Sequence, residues 1–378
     1  MVFLGIVIVA VIGVFAYSRH PVFGKLPSGE RLARIEHSPN HADGVFQNQI
    51  DTPARTSDQS DLSMVMDTVF GKNGQSRPPG PIPAIKTDLK ALDPAHDLVV
   101  WLGHSSYFVQ LGGKRILIDP VFSAHAAPIP GVNRAFEGTS IYGAVDMPEI
   151  DALLISHDHY DHLDYPSIQA LQPKIRQVIV GLGAGAHFEA WGYDMGIVRE
   201  ADWGEAIELA RGLQIHITPA RHFSGRTITR NKSLWVGFAL VTPERRIFFS
   251  GDTGYAPHFA EIGLRLGPFD WEALDMGQYD SHWTNVHMTP EQAAQAAEEL
   301  RTKVLTPGHV GRFSIARHNW DDPFKRITAA SQGRSYALWT PEIGHPIHLD
   351  GREQSFTAWW ENGALNAQNQ LADEVMAK

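Results

Sequence analysis

The sequence predicts an α/β fold, and three observations carry that prediction. From residue 98 onward, short apolar runs alternate with helical patterns. Several runs are apolar at consecutive positions, the pattern of strands covered on both faces. Histidines and aspartates stand directly after those runs, where α/β sheets place their active groups. With 378 residues, 43% hydrophobic and 20% charged, the chain is long enough for one large domain with an added arm.

Taken in order, residues 1–18 form an apolar segment: 2–17 read VFLGIVIVAVIGVFAY without a charge. A helix of that length reaches about 24 Å, near the roughly 30 Å of a hydrocarbon core. No basic stretch precedes it and no A-x-A site follows, so a membrane anchor is favoured over a secretory signal or a buried helix. Arg19, Lys25, Arg31 and Arg34 follow the run. Positive charge would put the bulk of the chain in the cytoplasm, but a shortened start would hide an n-region and leave the side of the membrane open. Residues 19–97 form an arm punctuated by Ser38-Pro39-Asn40, Thr52-Pro53 and a Pro-rich stretch at 78–83. Such punctuation opposes long helices or a sheet. One helical spacing, Leu62, Val65, Met66 and Val69, falls within 58–70. The arm is either a linker or a strap around the domain that follows.

Residues 98–360 are expected to form one α/β domain, with strands at 98–102, 107–111, 116–118, 152–155, 177–180, 215–218, 235–242, 247–250 and 304–306. Helices are expected at 186–191 and 289–301. The second opens with Thr289 as cap, Pro290 at the first helical position and Gln292 closing a capping box. Residues 361–378 are a tail.

The chain has no cysteine and 19 histidines. Disulfides, thiolate zinc sites, iron–sulfur clusters and cysteine nucleophiles are therefore excluded together. A balance of 32 Lys+Arg against 42 Asp+Glu gives a net charge of −10, which argues against a nucleic-acid partner. The histidines gather after the strand at 152–155, in His157-Asp158-His159-Tyr160-Asp161-His162-Leu163-Asp164. Imidazole and carboxylate without sulfur suit a catalytic divalent-ion site. In a tight loop His157 and His159 can grip one ion, and Asp161 and His162, further on, suit a second.

Other strand ends deliver His222, Asp252 and His309. Singly each could be a loop residue; together they form a constellation. His104 and His287 either line the site or hold loops, and the same choice applies to Tyr279 and His282. His216, His258, His345 and His348 are expected on the surface or in strands. A G-x-G-x-x-A pattern at 181–186, with Glu200 or Asp202 as ribose acid, would suggest a dinucleotide fold. It lies inside the ligand ladder, so a tight strand-to-helix turn is the better reading.

The order HxHxDH, then His, Asp and His, resembles the metallo-β-lactamase superfamily of two-metal hydrolases. Trp101-Leu102-Gly103-His104-Ser105-Ser106, Ile118-Asp119-Pro120-Val121-Phe122-Ser123, the HDHYDHLD loop, Phe249-Ser250-Gly251-Asp252-Thr253-Gly254-Tyr255 and His287-Met288-Thr289-Pro290-Glu291 resemble the branch that hydrolyses N-acylphosphatidylethanolamines by phospholipase D chemistry. Ser38-Pro39-Asn40, Asp43-Gly44 and Phe46-Gln47-Asn48 in the arm are similar to that branch too. The resemblance implies a four-layer αβ/βα sandwich with two divalent ions, most consistent with Zn²⁺, at one edge. It implies that His157, His159 and His222 hold one ion and Asp161, His162 and His309 the other, with Asp252 bridging. Asp161 would orient the attacking water, and Asp119 would buttress an imidazole rather than merely make the turn before Pro120. The substrate would be a lipid-like or other small ester near a membrane. Lactone or amide hydrolysis by the same ions, or a membrane-bound interaction protein with a structural metal site, are the alternatives. A homo-oligomer is compatible with the sequence.

Overall fold

The computed structural model describes residues 13, 15–53, 55–56 and 75–361, and every count below refers to them. The helical spacing within 58–70, the tail after Glu361 and nearly all of the apolar run at 2–17 lie outside the described residues. Among those described, no helix is long and apolar enough to cross a membrane.

The arm holds only short elements, helix α1 (Glu30–Glu36) and the two-residue strands β1 (His41–Ala42) and β2 (Val45–Phe46). It lies along the domain through side-chain bonds to backbone and to buried or half-buried carboxylates. Trp191 Nε1 donates to Pro21 O at 2.7 Å, and Arg226 reaches Val22 O from Nε at 3.0 Å and Nη2 at 2.7 Å. Ser38 Oγ and Asn40 Nδ2 both donate to Asp202, at 2.5 and 2.7 Å. Arg31 pairs with Glu200 at 2.8 Å, and Glu200 in turn accepts from Gly183 N and Gly185 N at 2.7 and 3.1 Å. That carboxylate fills the anion position of the glycine turn, so the turn at 181–186 joins strand to helix and has no room for a pyrophosphate.

The domain runs β3 (Leu98–Gly103), β4 (Ser106–Leu111), β5 (Lys114–Ile118), β6 (Ala152–Ile155), α2 (Tyr165–Leu171), β7 (Val178–Gly181), α3 (Gly185–Ala190) and β8 (Val198–Ala201). Then follow β9 (Ala206–Ala210), β10 (Leu213–Thr218), β11 (Gly237–Val241), β12 (Arg246–Phe249), α4 (His258–Arg265) and β13 (Trp271–Asp275). Last come α5 (Pro290–Leu300), β14 (Val304–Gly308), α6 (Asp322–Ala330), β15 (Ala337–Leu338) and β16 (Pro346–His348). Two seven-stranded sheets result, in the orders β16-β3-β4-β5-β6-β7-β8 and β15-β14-β13-β12-β11-β10-β9. Each is antiparallel on one side and parallel on the other, from β5 to β8 and from β12 to β15.

Side-chain alternation explains the layering. Val99 and Trp101 of β3 enter the core between the sheets, while Leu98, Val100 and Leu102 pack outward with Ile168 of α2 and Phe188 of α3. Phe249 and Trp271 face the other sheet, and Phe248 and Leu274 meet Phe259 of α4 and Ala293 of α5. The order is helix, sheet, sheet, helix, and both faces of the central strands are covered. Trp101, Trp235 and Trp271, each at most 2% exposed, fill the middle; truncating such a residue costs about 3–5 kcal/mol. The capping box forms: Gln292 N donates to Thr289 Oγ1, and Thr289 N to Gln292 Oε1. His258 departs from expectation. It is buried at the first turn of α4, where desolvation pulls its pKa down to about 3.

Candidate metal centre

Parallel strands point their carboxyl ends the same way, so β5 and β6 of one sheet and β12, β13 and β14 of the other deliver their following residues to one shared edge. Asp119, His157, Asp252, Asp275 and His309 sit there, and His104 joins them from the β3–β4 turn. The turns are tight enough to force left-handed backbone on non-glycine residues, with φ of 55° at His104, 42° at Asp119 and 57° at His309. His104 N donates to Val310 O at 3.1 Å, tying the two edges together.

Two groups of donors converge. His157 Nε2 lies 2.8 Å from His159 Nδ1, and His222 Nε2 lies 3.3 Å from the same atom. Asp252 Oδ2 is 3.6 Å from His157 Nε2 and 3.7 Å from His222 Nε2. In the second group Asp161 Oδ2 is 3.0 Å from His309 Nε2 and 3.6 Å from His162 Nε2. Asp252 reaches this group as well, with Oδ2 at 3.3 Å from His309 Nε2 and Oδ1 at 3.0 Å from His162 Nε2. The last two atoms are close but out of line for a hydrogen bond, and each is buried without one.

That donor set fits divalent cations. Tetrahedral ligands at 2.0–2.2 Å from an ion lie roughly 3.3–3.6 Å apart, close to the separations here. Charge points the same way. Asp119, Asp161, Asp252 and Asp275 are all under 9% exposed, and buried carboxylates are costly unless positive charge accompanies them. Two divalent ions would balance the four.

The expected ligands thus come together as two groups sharing Asp252. His104 also belongs to the second, with Nε2 at 3.0 Å from Asp161 Oδ2. Tyr279 does not reach the cluster: its hydroxyl bonds Asp322 and its ring stacks on His318 at 4.3 Å. His282 is outside every such group among the described residues. His287 lies beside the cluster, with Nδ1 2.8 Å from Asp275 Oδ2 and its ring 5.0 Å from that of His309.

Asp119 and the unforeseen Asp275 do parallel work. Asp119 Oδ2 is 2.7 Å from His162 Nδ1, and the carboxylate is fixed by Ser156 N at 2.8 Å and Ser156 Oγ at 2.5 Å. Asp275 Oδ1 is 3.1 Å from His309 Nδ1, and Thr253 N donates to its Oδ2 at 3.0 Å. Each fixes the tautomer and ring plane of one imidazole, leaving Nε2 for the site. The signal for Asp275 was a polar residue at a strand end. It was obscured because Glu272 interrupts the apolar run of β13.

The arm and a buried arginine support the ligand loops. Asn48 Oδ1 accepts from His222 N at 3.0 Å and its amide donates to His222 O at 2.8 Å. Arg226 Nη1 donates to Asp158 O and Leu163 O at 2.7 and 2.8 Å, which spans both ends of the histidine loop. Asp158 itself accepts from Gly225 N and Ser233 Oγ at 2.6 and 2.9 Å.

Protonation divides the groups. Burial, then neighbouring imidazoles, drive His157 well below its usual pKa; burial does the same for His222 and lowers His159. Burial also takes His104 down to about 3. Burial opposes charge on His162 and His309 too, but the carboxylates win. Asp252 and Asp161 hold His162 well above its usual value, and Asp252 and Asp275 hold His309 up at about 10. One group is neutral imidazole; in the other, neutral His104 stands beside His162 and His309, which are held as imidazolium among carboxylates.

Comparison with known proteins agrees with this geometry. Residues 114–310 match the beta-lactamase superfamily domain. A protein of Mycobacterium tuberculosis is 36% identical over 331 residues, covering 86% of this chain and 88% of its own. N-acyl-phosphatidylethanolamine-hydrolyzing phospholipase D 1 of Caenorhabditis elegans is 31% identical over 263 residues, covering 61% of this chain and 72% of its own. In fold, the chain is similar to Igni18, a metallo hydrolase from Ignicoccus hospitalis, with a TM-score of 0.51 at 22% identity over 68% of this chain and 99% of that one. The chain belongs to the beta-lactamase superfamily domain family and is a metal-dependent hydrolase of the metallo-β-lactamase fold.

Proposed function

We propose that this hydrolase is a two-zinc phosphodiesterase that cleaves N-acylphosphatidylethanolamine-like lipids on the headgroup side of phosphorus, at a membrane. The observation that carries the reading is the pair of nitrogen and oxygen donor groups sharing Asp252. His157, His159 and His222 would hold one ion and Asp161, His162 and His309 the other. Bound ions would make a water nucleophilic near neutral pH and neutralise charge developing on the phosphoryl oxygens.

The chain's own residues do the rest. Asp119 and Asp275 hold the His162 and His309 rings in one tautomer, so their Nε2 atoms need not reorganise during the reaction. Asp161 holds its charge at the centre of the cluster. Burial disfavours that charge, yet His162 and the hydrogen bonds from His104 and His309 keep the carboxyl well below its usual range. It can therefore orient an attacking water through an oxygen lone pair. Arg226 and Asn48 fix the loops that carry these groups.

Support for a lipid substrate comes from the C. elegans relative's name and from the surface. Ile129 is 58% exposed and Ile228 is fully exposed. They lie on the loop that packs on Phe313 beside His104 and on the loop that follows His222. The apolar run at 2–17 would act as anchor; Tyr17, at its end, donates to Pro128 O at 2.5 Å, next to Ile129. The test is metal analysis with assays on N-acylphosphatidylethanolamine vesicles, a lactone panel and an amide panel, using full chain in mild detergent. Two zinc ions per chain and lipid cleavage lost in Asp161→Ala and Asp252→Ala are expected. Turnover confined to lactones or amides would overturn the substrate, and fewer than two ions per chain would overturn the two-ion mechanism.

A further inference from the structure

Behind the second ligand group lies a small space between the sheets, lined by Asp119, Asp275, Tyr107, Ser105, Ser250 and His309. Its volume is about 20 Å³, the size that admits one water molecule and little else. Tyr107, on β4, extends from one sheet across to the other. Its ring is 5.1 Å from that of Phe249 and 6.1 Å from that of Trp271. Gly308 lies against the hydroxyl: a Cβ there would stand 3.1 Å from Tyr107 Oη and crowd it. The residue is 3% exposed, and its hydroxyl has no hydrogen-bond partner among the described residues. Leaving such a group unsatisfied costs stability, because its water hydrogen bonds are lost and not replaced.

The two aspartates have matching needs. Asp119 already takes an imidazole N–H, a backbone N–H and the Ser156 hydroxyl, and Asp275 takes two imidazole N–H groups and a backbone N–H. Each keeps about one lone pair free, because a carboxylate accepts about four hydrogen bonds. The tyrosine has a single proton to donate and cannot serve both. One water resolves the count: it accepts from Tyr107 Oη and donates one proton to Asp119 and the other to Asp275. Three hydrogen bonds is the usual number for a buried water.

We propose that this cavity is an internal water site, and that Tyr107 is a positioning residue which, through that water, joins Asp119 of one sheet to Asp275 of the other. The water sets the two carboxylates relative to each other, and with them the spacing of the His162 and His309 nitrogens. A ring without the hydroxyl would fill the same intersheet volume but leave the water with two bonds and the carboxylates free to drift apart. The neutral group of His157, His159 and His222 meets this network through Ser156 Oγ, 3.0 Å from His157 Nδ1, one step further from Tyr107, and should change less. The role in ion binding rests on the two-ion reading above; the water site does not.

The experiment has two arms on the full chain. A high-resolution crystal structure is expected to show one ordered water within about 3 Å of Tyr107 Oη and of an oxygen on each aspartate. Zinc titration against a chelator, with wild type and Tyr107→Phe, is expected to show the more weakly held ion bound about tenfold less tightly in the variant. The tighter ion should change less than twofold, and the thermal midpoint of the zinc-free variant should stay with that of wild type. A dry cavity in the wild-type crystal overturns the proposal, and so does a variant whose zinc titration matches wild type. A variant that loses stability and both ions together assigns Tyr107 to packing alone and overturns it equally. If wild type itself binds fewer than two ions, the two-ion reading fails, and the crystal decides the water site without it.

Discussion

The two donor groups at the sheet edge are built on opposite principles. The group of His157, His159 and His222 is made of neutral imidazoles crowded together, with nitrogens 2.8 and 3.3 Å apart. It owes its order to backbone: Asn48 clips His222, and Arg226 spans the histidine loop. The group of Asp161, His162 and His309 is held by charge, with Asp119 and Asp275 behind its imidazoles. Crowded neutral nitrogens are ready for a cation as they stand. Paired charges must give up protons first, so they answer to pH and to the carboxylates behind them.

The harshest way to break this contrast is Asp252→Ala, which removes the one carboxylate common to both groups. Activity should fall by at least about 10³-fold, more than losing a single neutral donor costs an enzyme. Metal analysis should show fewer than two ions per chain. Asp275→Asn should separate the groups instead. Affinity for the more weakly held ion should drop about 10- to 100-fold, and chelator competition should show the tighter ion nearly unchanged. Proton counting sharpens the contrast further. With His309 at about 10 and His162 raised well above its usual value, the charged group should release about two protons on loading at neutral pH, and the neutral group almost none. Titration calorimetry in buffers of differing ionisation enthalpy measures this. Affinity of the charged group should rise by roughly tenfold per pH unit for each proton released.

The smallest effect concerns an acid without support. Glu272 sits three residues before Asp275 on the same strand, fully buried, and neither carboxyl oxygen has a partner among the described residues. Desolvation raises its pKa well above the ordinary value, so the native state keeps a proton that the unfolded chain has shed. Stability contributed at low pH is then lost as pH rises from about 4.5 toward the folded pKa. Glu272→Met should remove that slope and raise stability by about 1–3 kcal/mol at neutral pH. Denaturant unfolding at pH 5 and pH 8 would show it.

Glu272 also marks the limit of what was legible. The strands flanking the ligands were readable because covered strands are apolar at every position, as in Ala152-Leu153-Leu154-Ile155. β13 was not, because a buried carboxyl broke its run, and Asp275 was hidden with it. The edge strands β8 and β9 carry Arg199, Glu200 and Glu208 and were not among the expected strands, since one side of an edge strand faces water and lacks a continuous apolar run. The seven expected ligands stood out because they follow four apolar runs, four of them crowded into the loop after β6. His104 stood in a turn whose direction depends on a left-handed φ, and no local pattern reveals that its imidazole reaches Asp161.

The split of the sheets along the chain has a consequence for assembly. The first sheet is complete, but for β16, by Ala201, whereas Asp252, Asp275 and His309 arrive with the second. A chain emerging from the ribosome therefore carries the histidine loop long before the carboxylates that complete either group. Folding of the second sheet against the first creates the site, so loading with metal comes after the two halves have docked, and a chain stalled before β14 would have only a partial set of ligands to offer.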